Sequence, residues 1–269
     1  MATTEIGIAF RRAMARDLLA HRDEFDVFEV IADHSLFNHA EARALADLEA
    51  QVPLVPHGLD LSIGSVDCLE DGRYLEAVAE LCRRRGGAFY GDHFAMTKLQ
   101  GRSIGHLSPL WYTRAQLKVV VRNIAAVQAR IGRPLALENI TRPFDLGPSD
   151  LTEAEFINRA VRETGCGVIL DLANLFINAH NLRFDPRRFL DELDLSAVWQ
   201  IHLAGGRKVG PQWIDSHSSA VAAPVWELLE EVAPACTNLQ LVILERDNEY
   251  PPVEELIADV RHARELARG

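Results

Sequence analysis

Three of the ten histidines close predicted β-strands: His57 in VPLVPHG, His93 in FYGDHF and His202 in VWQIHLAG. Carboxylates take the same place in three more runs, Glu138 in LALEN, Asp171 in VILDLAN and Glu245 in LVILER. If the runs form a parallel barrel, these six donors converge on one mouth. Three further residues extend the set. Asn174 follows Asp171 by three, so a helical turn opening there aims both side chains the same way. Asp215 and His217 form a D-x-H pair, whose alternate side chains in an extended segment point to one side.

Taken singly, each residue has an ordinary structural explanation. A lone strand-end histidine is usually hydrogen-bonded, Asp171 is placed to cap a helix, and Asp215 and His217 suit a surface turn. Their coincidence at the same end of six runs favours a metal centre instead. Nine donors exceed what one ion uses, so two or three ions with a bridging carboxylate are expected. All donors are nitrogen or oxygen, which disfavours a structural zinc knot and suits iron, manganese or catalytic zinc.

The elements that must position these groups alternate along the whole chain. Strands are expected near 5–9, 26–32, 53–57, 88–93, 134–138, 167–171, 197–203 and 240–245. Helices are expected near 11–21, 40–50, 72–85, 113–131, 152–164, 186–193, 222–233 and 252–267. Most strands are continuous apolar runs, as in a covered parallel sheet. Thr113, the Thr152–Glu155 capping box and Asp185-Pro186 mark helix starts. Eight βα units in 269 residues predict an α/β fold, a single (β/α)8 TIM barrel spanning 1–269 as one domain. An open doubly wound sheet lacks its G-x-G-x-x-G after the first strand. The long connections 94–112, 139–151 and 204–221 all fall on the face where barrel active sites lie.

Composition sets the surroundings. A net charge of −11 repels polyanions, so nucleic acid is not an expected partner. The basic run Arg83-Arg84-Arg85 ends a predicted helix, where it favours the negative end of the dipole. No run of 18 apolar residues exists to span a membrane, and MATTEIGIAF lacks the pattern of a signal peptide. Cys68, Cys82, Cys166 and Cys236 have no CxxC spacing and read as reduced core thiols of a cytoplasmic protein.

The order H…H…E…D-x-x-N…H…D-x-H…E resembles the xylose-isomerase-like barrels, including the endonuclease IV family, which typically has His at the position of Asn174. More specifically, HGLDLSIG (57–64), LEN (137–139), TGCGVILDLANLFINAHN (164–181), IHLAGG (201–206), DSHSSAV (215–221), PVW (224–226), LERD (244–247) and PP (251–252) are similar to the multinuclear non-haem iron-dependent oxidative enzymes, the MbnB/TglH group. The similarity spans roughly 5–265. It implies two or three irons, mixed Fe(II)/Fe(III), with O2 as co-substrate, and oxidation at a cysteine of a ribosomally made precursor peptide. A small leader-binding partner protein usually accompanies such enzymes, and no segment here reads as a fused leader-binding domain. Matched by position, His57, His93, Glu138, Asp171, His202 and Glu245 would hold an iron pair, with Glu138 as the bridge. Asn174, Asp215 and His217 would hold a third, weaker ion.

Two positions depart from that pattern: Asp92-His93 replaces a typical Glu-His, and Ala32-Asp33-His34 stands where Glu-Asn is usual. Asp247 is expected as a proton acceptor, and Asp92, Asn139 and His180 as substrate contacts. Asn181 is expected either to orient substrate or to cap a loop. The competing reading is a zinc or manganese hydrolase or isomerase of the same superfamily. Against it, no Lys sits at a strand end, whereas sugar isomerisation usually wants one near the metals.

Overall fold

A computed structural model describes residues 3–84 and 87–268. The twelve strands are β1 (Glu5–Ala9), β2 (Val27–Ile31), β3 (Leu54–His57), β4 (Tyr90–His93), β5 (Met96–Leu99), β6 (Arg102–Ser108), β7 (Leu135–Glu138), β8 (Gly167–Asp171), β9 (Val198–Ala204), β10 (Arg207–Val209), β11 (Gln212–Ile214) and β12 (Leu241–Glu245). Eight of them close a parallel barrel in the order β1-β12-β9-β8-β7-β4-β3-β2. The remaining four form two antiparallel hairpins, β5–β6 and β10–β11, standing on the loops above the barrel mouth. Around the barrel lie α1 (Ala15–Ala20), α2 (Asp33–Leu36), α3 (His39–Glu49), α4 (Gly72–Arg84), α5 (Arg114–Ile131), α6 (Glu153–Thr164), α7 (Leu172–Leu182), α8 (Pro186–Glu192), α9 (Ala223–Val232) and α10 (Val253–Arg268). The (β/α)8 architecture is the one expected.

Side chains alternate across each strand, so every second residue points into the barrel. The inner cluster contains Val27, Phe89, Ala136, Ile169, Leu241 and Ile243. One step further along their strands stand Glu29, Glu138, Asp171 and Glu245, followed outward by the mouth. Apolar packing thus fills the base of the barrel and ionisable groups its top. Register tightens the arrangement: His93 pairs with Glu138 and Asp171 with His202 across neighbouring strands. At a strand spacing of about 4.8 Å, such partners are adjacent without any loop rearrangement.

The capping signals hold. Thr152 accepts from the Glu155 amide while the Glu155 carboxylate accepts from the Thr152 amide. Thr113 and Asp185 cap α5 and α8. Gly132 and Gly165 end α5 and α6 in the left-handed region, at φ 70° and 69°. Arg83 and Arg84 lie in the last turn of α4, and Arg83 pairs with Glu76 and Glu80; Arg85 lies outside the described residues. Among the described residues, no helix is long and apolar enough to cross a membrane.

All four cysteines are free and buried. Burial pushes the thiols of Cys68 and Cys236 up to about 12 and that of Cys166 to about 11, and also raises Cys82. The neutral thiol is therefore the form the fold favours. Its contribution is complete below the ordinary thiol range and is lost as pH climbs through 11–12. At pH 8 the Cys166 thiolate is scarcer by about two hundredfold than at the ordinary value of about 8.5. A thiol reagent at that pH is expected to titrate the four groups only after denaturant is added. Rapid native-state reaction of any of them would contradict this burial.

Candidate metal centre

Glu138 is the centre of the site. Its Oε2 lies 3.3 Å from His57 Nε2, 3.5 Å from His93 Nε2 and 3.1 Å from His202 Nδ1. Two groups of donors, each mutually within 4.8 Å, meet at this residue: His57, His93 and Glu138; and Glu138, Asp171, His202 and Glu245. Six residues from six barrel strands therefore converge as their strand-end positions require. His217 extends the array, with Nδ1 3.7 Å from Glu245 and Nε2 2.7 Å from Asp215.

Asp171 serves two purposes. It is the N-cap of α7, its Oδ1 accepting from the Asn174 amide at 2.7 Å, while its buried Oδ2 makes no hydrogen bond. Asn174 sits one turn into that helix, as its spacing requires. Its Nδ2 donates to the Asn139 carbonyl, leaving Oδ1 buried without a partner.

The donor set fits metal ions. Asp171 Oδ2 and Asn174 Oδ1 are buried and make no hydrogen bond, while Glu138 Oε2 and His202 Nδ1, and Asp215 Oδ1 and His217 Nε2, face one another at ion-pair distance without a well-formed hydrogen bond. Buried polar atoms left in this way are costly unless something else satisfies them. Charge leads to the same conclusion. Burial would raise Glu138, but the His202 and His93 charges hold it well below the usual carboxylate range. Despite their own burial, His57 is raised to about 9 and His202 well above its ordinary value by the surrounding glutamates. Asp171 is pushed well up by burial and by the charges of Glu138, Asp215 and Glu245. Carboxylates thus outnumber the cations available to them, a deficit that bound cations would meet.

Each histidine also has a carboxylate on its far side. Glu29 Oε2 lies 3.3 Å from His202 Nε2 and 4.0 Å from His57 Nδ1. Asp92 Oδ1 is 3.7 Å from His93 Nδ1, and Asp247 Oδ2 is 3.1 Å from His217 Nδ1. For His57, His93 and His202 the ring nitrogen facing the donors is the other one; His217 turns Nε2 to Asp215, while its Nδ1 lies between Asp247 and Glu245. A carboxylate behind a ligating imidazole fixes its tautomer and orientation. Glu29, buried in the middle of VFEVI and tied to Gln200 Nε2 at 2.6 Å, is the residue the sequence reading missed. A lone acid at an inward position of an apolar strand was its available signal.

The expected substrate contacts Asp92, Asn139 and His180 do not line the cavity. Asp92 is 1% exposed and bonds the amides of His93 and Leu61, so it backs His93. Asn139 is 3% exposed and pairs with both the amide and the carbonyl of Asp171, stitching β7 to β8. His180 lies outside the mouth, 3.1 Å from the Pro211 carbonyl, while Asn181 holds the backbone of Trp213. Asp247 is ion-paired to Arg11 at 2.6 Å as well as to His217. Burial would raise its pKa, but these partners hold it at about 2. That ionised pair suits orienting His217 better than accepting a proton.

The RiPP precursor modification enzyme MbnB/TglH/ChrH family model matches residues 5–268. The chain belongs to this family. Relatives agree over nearly the whole length. A UPF0276 protein of Anaeromyxobacter sp. (strain Fw109-5) is 36% identical over 97% of this chain and 92% of its own. A UPF0276 protein of Rhizorhabdus wittichii is 34% identical over 91% and 87%. Similar solved structures are the E. coli 3-keto-D-glucoside 4-epimerase YcjR (TM-score 0.61, 20% identity, covering 98% and 100%) and endonuclease IV of Thermus thermophilus (TM-score 0.58, 19% identity, covering 97% and 98%). At that identity the likeness is one of fold, the (β/α)8 barrel.

Gly91 shows how closely this family member packs its donors. A Cβ there would come within 2.6 Å of His57 Nδ1 and 3.0 Å of Ile169 Cδ1. Gly91→Ala is expected to displace the His57 ring, cost about 1–3 kcal/mol through overpacking, and lower metal content while the circular dichroism of the fold persists. Full metal content at wild-type stability would show that the ring has room to move.

Proposed function

We propose that this chain is a multinuclear iron enzyme that uses O2 to oxidise at a cysteine of a ribosomally made precursor peptide. The observation that carries the reading is the shared Glu138, one carboxylate belonging to two donor groups. Two ions held a few ångströms apart need such a bridge. Iron in nitrogen and oxygen donors supplies open positions for O2 and a thiolate, together with the capacity to accept electrons. The protein's own contribution is geometric. His57, His93, Glu138, Asp171, His202 and Glu245 would hold the pair, and Asn174, Asp215 and His217 would hold a third ion. The backing carboxylates keep the imidazoles in one tautomer, and Arg11 neutralises Asp247 beside the cavity. A small leader-binding partner protein completes the proposal.

Protein purified without oxygen is the test. The reading expects two or more irons per chain, a visible charge-transfer band on adding a cysteine peptide, and O2 uptake that depends on it. Zinc or manganese alone after growth in iron-rich medium, with no O2 uptake on any thiol, would transfer the site to the hydrolase or isomerase class of its fold neighbours.

A further inference from the structure

The donor-lined cavity, about 230 Å³, has Glu29, His57, His93 and Glu138 among its walls. Beside it, between α1, β2 and α3, lies a groove of about 520 Å³, lined by Phe10, Leu19, Ala44, Leu45 and Leu48 and edged by Arg12, Glu41 and Asp47. Groove and cavity share Arg11, Val30 and Ile31. A second groove of about 640 Å³ lies against the two hairpins, lined by Trp111, Phe144, Leu146, Ile177, Trp213 and Ile214. This groove shares Leu107, Thr141 and Asp215 with the cavity. In the closed ring, β1 and β2 stand across from β7 and β8. The two grooves therefore flank the metal centre on opposite sides, each sharing walls with the cavity, and the three together trace a trough across the mouth.

We propose that this trough binds an extended polypeptide whose reacting residue is internal and carries bulky apolar side chains on both sides. The inference rests on the peptide-modification reading and adds to it where the flanks of the substrate lie. Each groove is larger than the central cavity, so a single sugar would leave both unfilled. Trp111, Phe144 and Ile214 are 44%, 59% and 43% exposed, a run of large apolar groups left uncovered in one place. Such a surface marks a binding site. A lipid tail would need the apolar walls but not the ionisable centre between the grooves.

The test is binding of synthetic cysteine-centred 13-residue peptides to the metal-loaded full-length protein, read by calorimetry without oxygen. One peptide carries Leu and Phe on both sides of the cysteine, two carry them on one side only, and one has Gly-Ser flanks throughout. Each apolar flank is expected to tighten binding roughly tenfold, a factor corresponding to about 1.4 kcal/mol. Ala44→Trp fills the first groove from an exposed helix position, and the Trp111→Ala/Phe144→Ala pair strips the second. Each variant should cancel the gain from one flank and leave the other, with the melting temperature near wild type. Equal affinity for all four peptides, absence of binding, or wild-type discrimination in both variants would overturn the trough. Failure of the oxidative reading is a separate outcome: flank-dependent binding without O2 uptake would keep the trough and discard the chemistry. Equal oxidation of the Gly-Ser peptide would do the reverse.

Discussion

Glu138→Gln is expected to remove more than one ion from each chain, whereas His217→Ala removes one at most. The difference follows from position. Glu138 is the member common to both donor groups, with its Oε2 between three imidazoles. An amide of the same size retains one neutral oxygen but loses the negative charge and the second acceptor that a bridge needs. His217 stands at the edge, 2.7 Å from Asp215 and 3.7 Å from Glu245. Its neighbour in the third set is Asn174, a neutral and weak donor. Metal analysis after desalting, at matched protein concentration, reads the effect directly. Apo-protein melts give a second measure. Breaking a buried ionic cluster by deleting one partner costs about 3–5 kcal/mol, so the metal-free Glu138 variant should also melt well below the metal-free wild type. Equal metal content in the two variants would refute the bridge.

The barrel was legible because parallel strands are buried on both faces and read as unbroken apolar runs, six of the eight carrying a residue with no apolar purpose at or near the end. The ligand set was legible for the same reason: a donor at a strand end is an anomaly in hydrophobicity, and six of them coincide. What escaped has equally physical causes. Helix α7 follows β8 with no loop between them, and its first turns bury Leu172, Ala173, Asn174, Leu175 and Ile177. A helix buried nearly all round shows no 3.6-residue stripe, so only its opening turn could be anticipated from Asp171 and Asn174. The hairpins β5–β6 and β10–β11 are short and their burial is irregular, so their residues read as loop.

The expected contacts that lie off the cavity share another cause. Asp92 and Asn139 adjoin ligands in sequence, but proximity along the chain is not proximity to substrate. Alternation along a strand decides otherwise, because neighbours of an inward residue point away from the cavity. Asp92 and Asn139 accordingly fasten main chain behind the site. Glu29 is the converse case: far in sequence from every ligand, yet at an inward position of β2, where closure of the barrel brings it to His202.

Glu29→Gln should therefore weaken metal binding about 10–100-fold, the usual cost of removing a group that orients a ligand, without emptying the third site. Glu29 faces His202 Nε2 at 3.3 Å and His57 Nδ1 at 4.0 Å, while the opposite ring nitrogens face Glu138. One carboxylate thus serves an imidazole from each donor group. Burial would raise its pKa, but the charges of His202 and His57 hold it at about 2, so it remains an acceptor throughout the working pH range. A glutamine can offer either its oxygen or its amide nitrogen to those rings, and it no longer demands a proton on the nitrogen that faces it. Chelator competition on the zinc-loaded protein measures the affinity, and nitrogen-15 histidine spectra of that diamagnetic form report the tautomers. The variant should show mixed tautomers at His57 and His202 with His217 unchanged, because His217 is oriented by Asp247. Wild-type affinity together with unaltered tautomers would mean that packing around the imidazoles, and not the carboxylate behind them, sets their orientation.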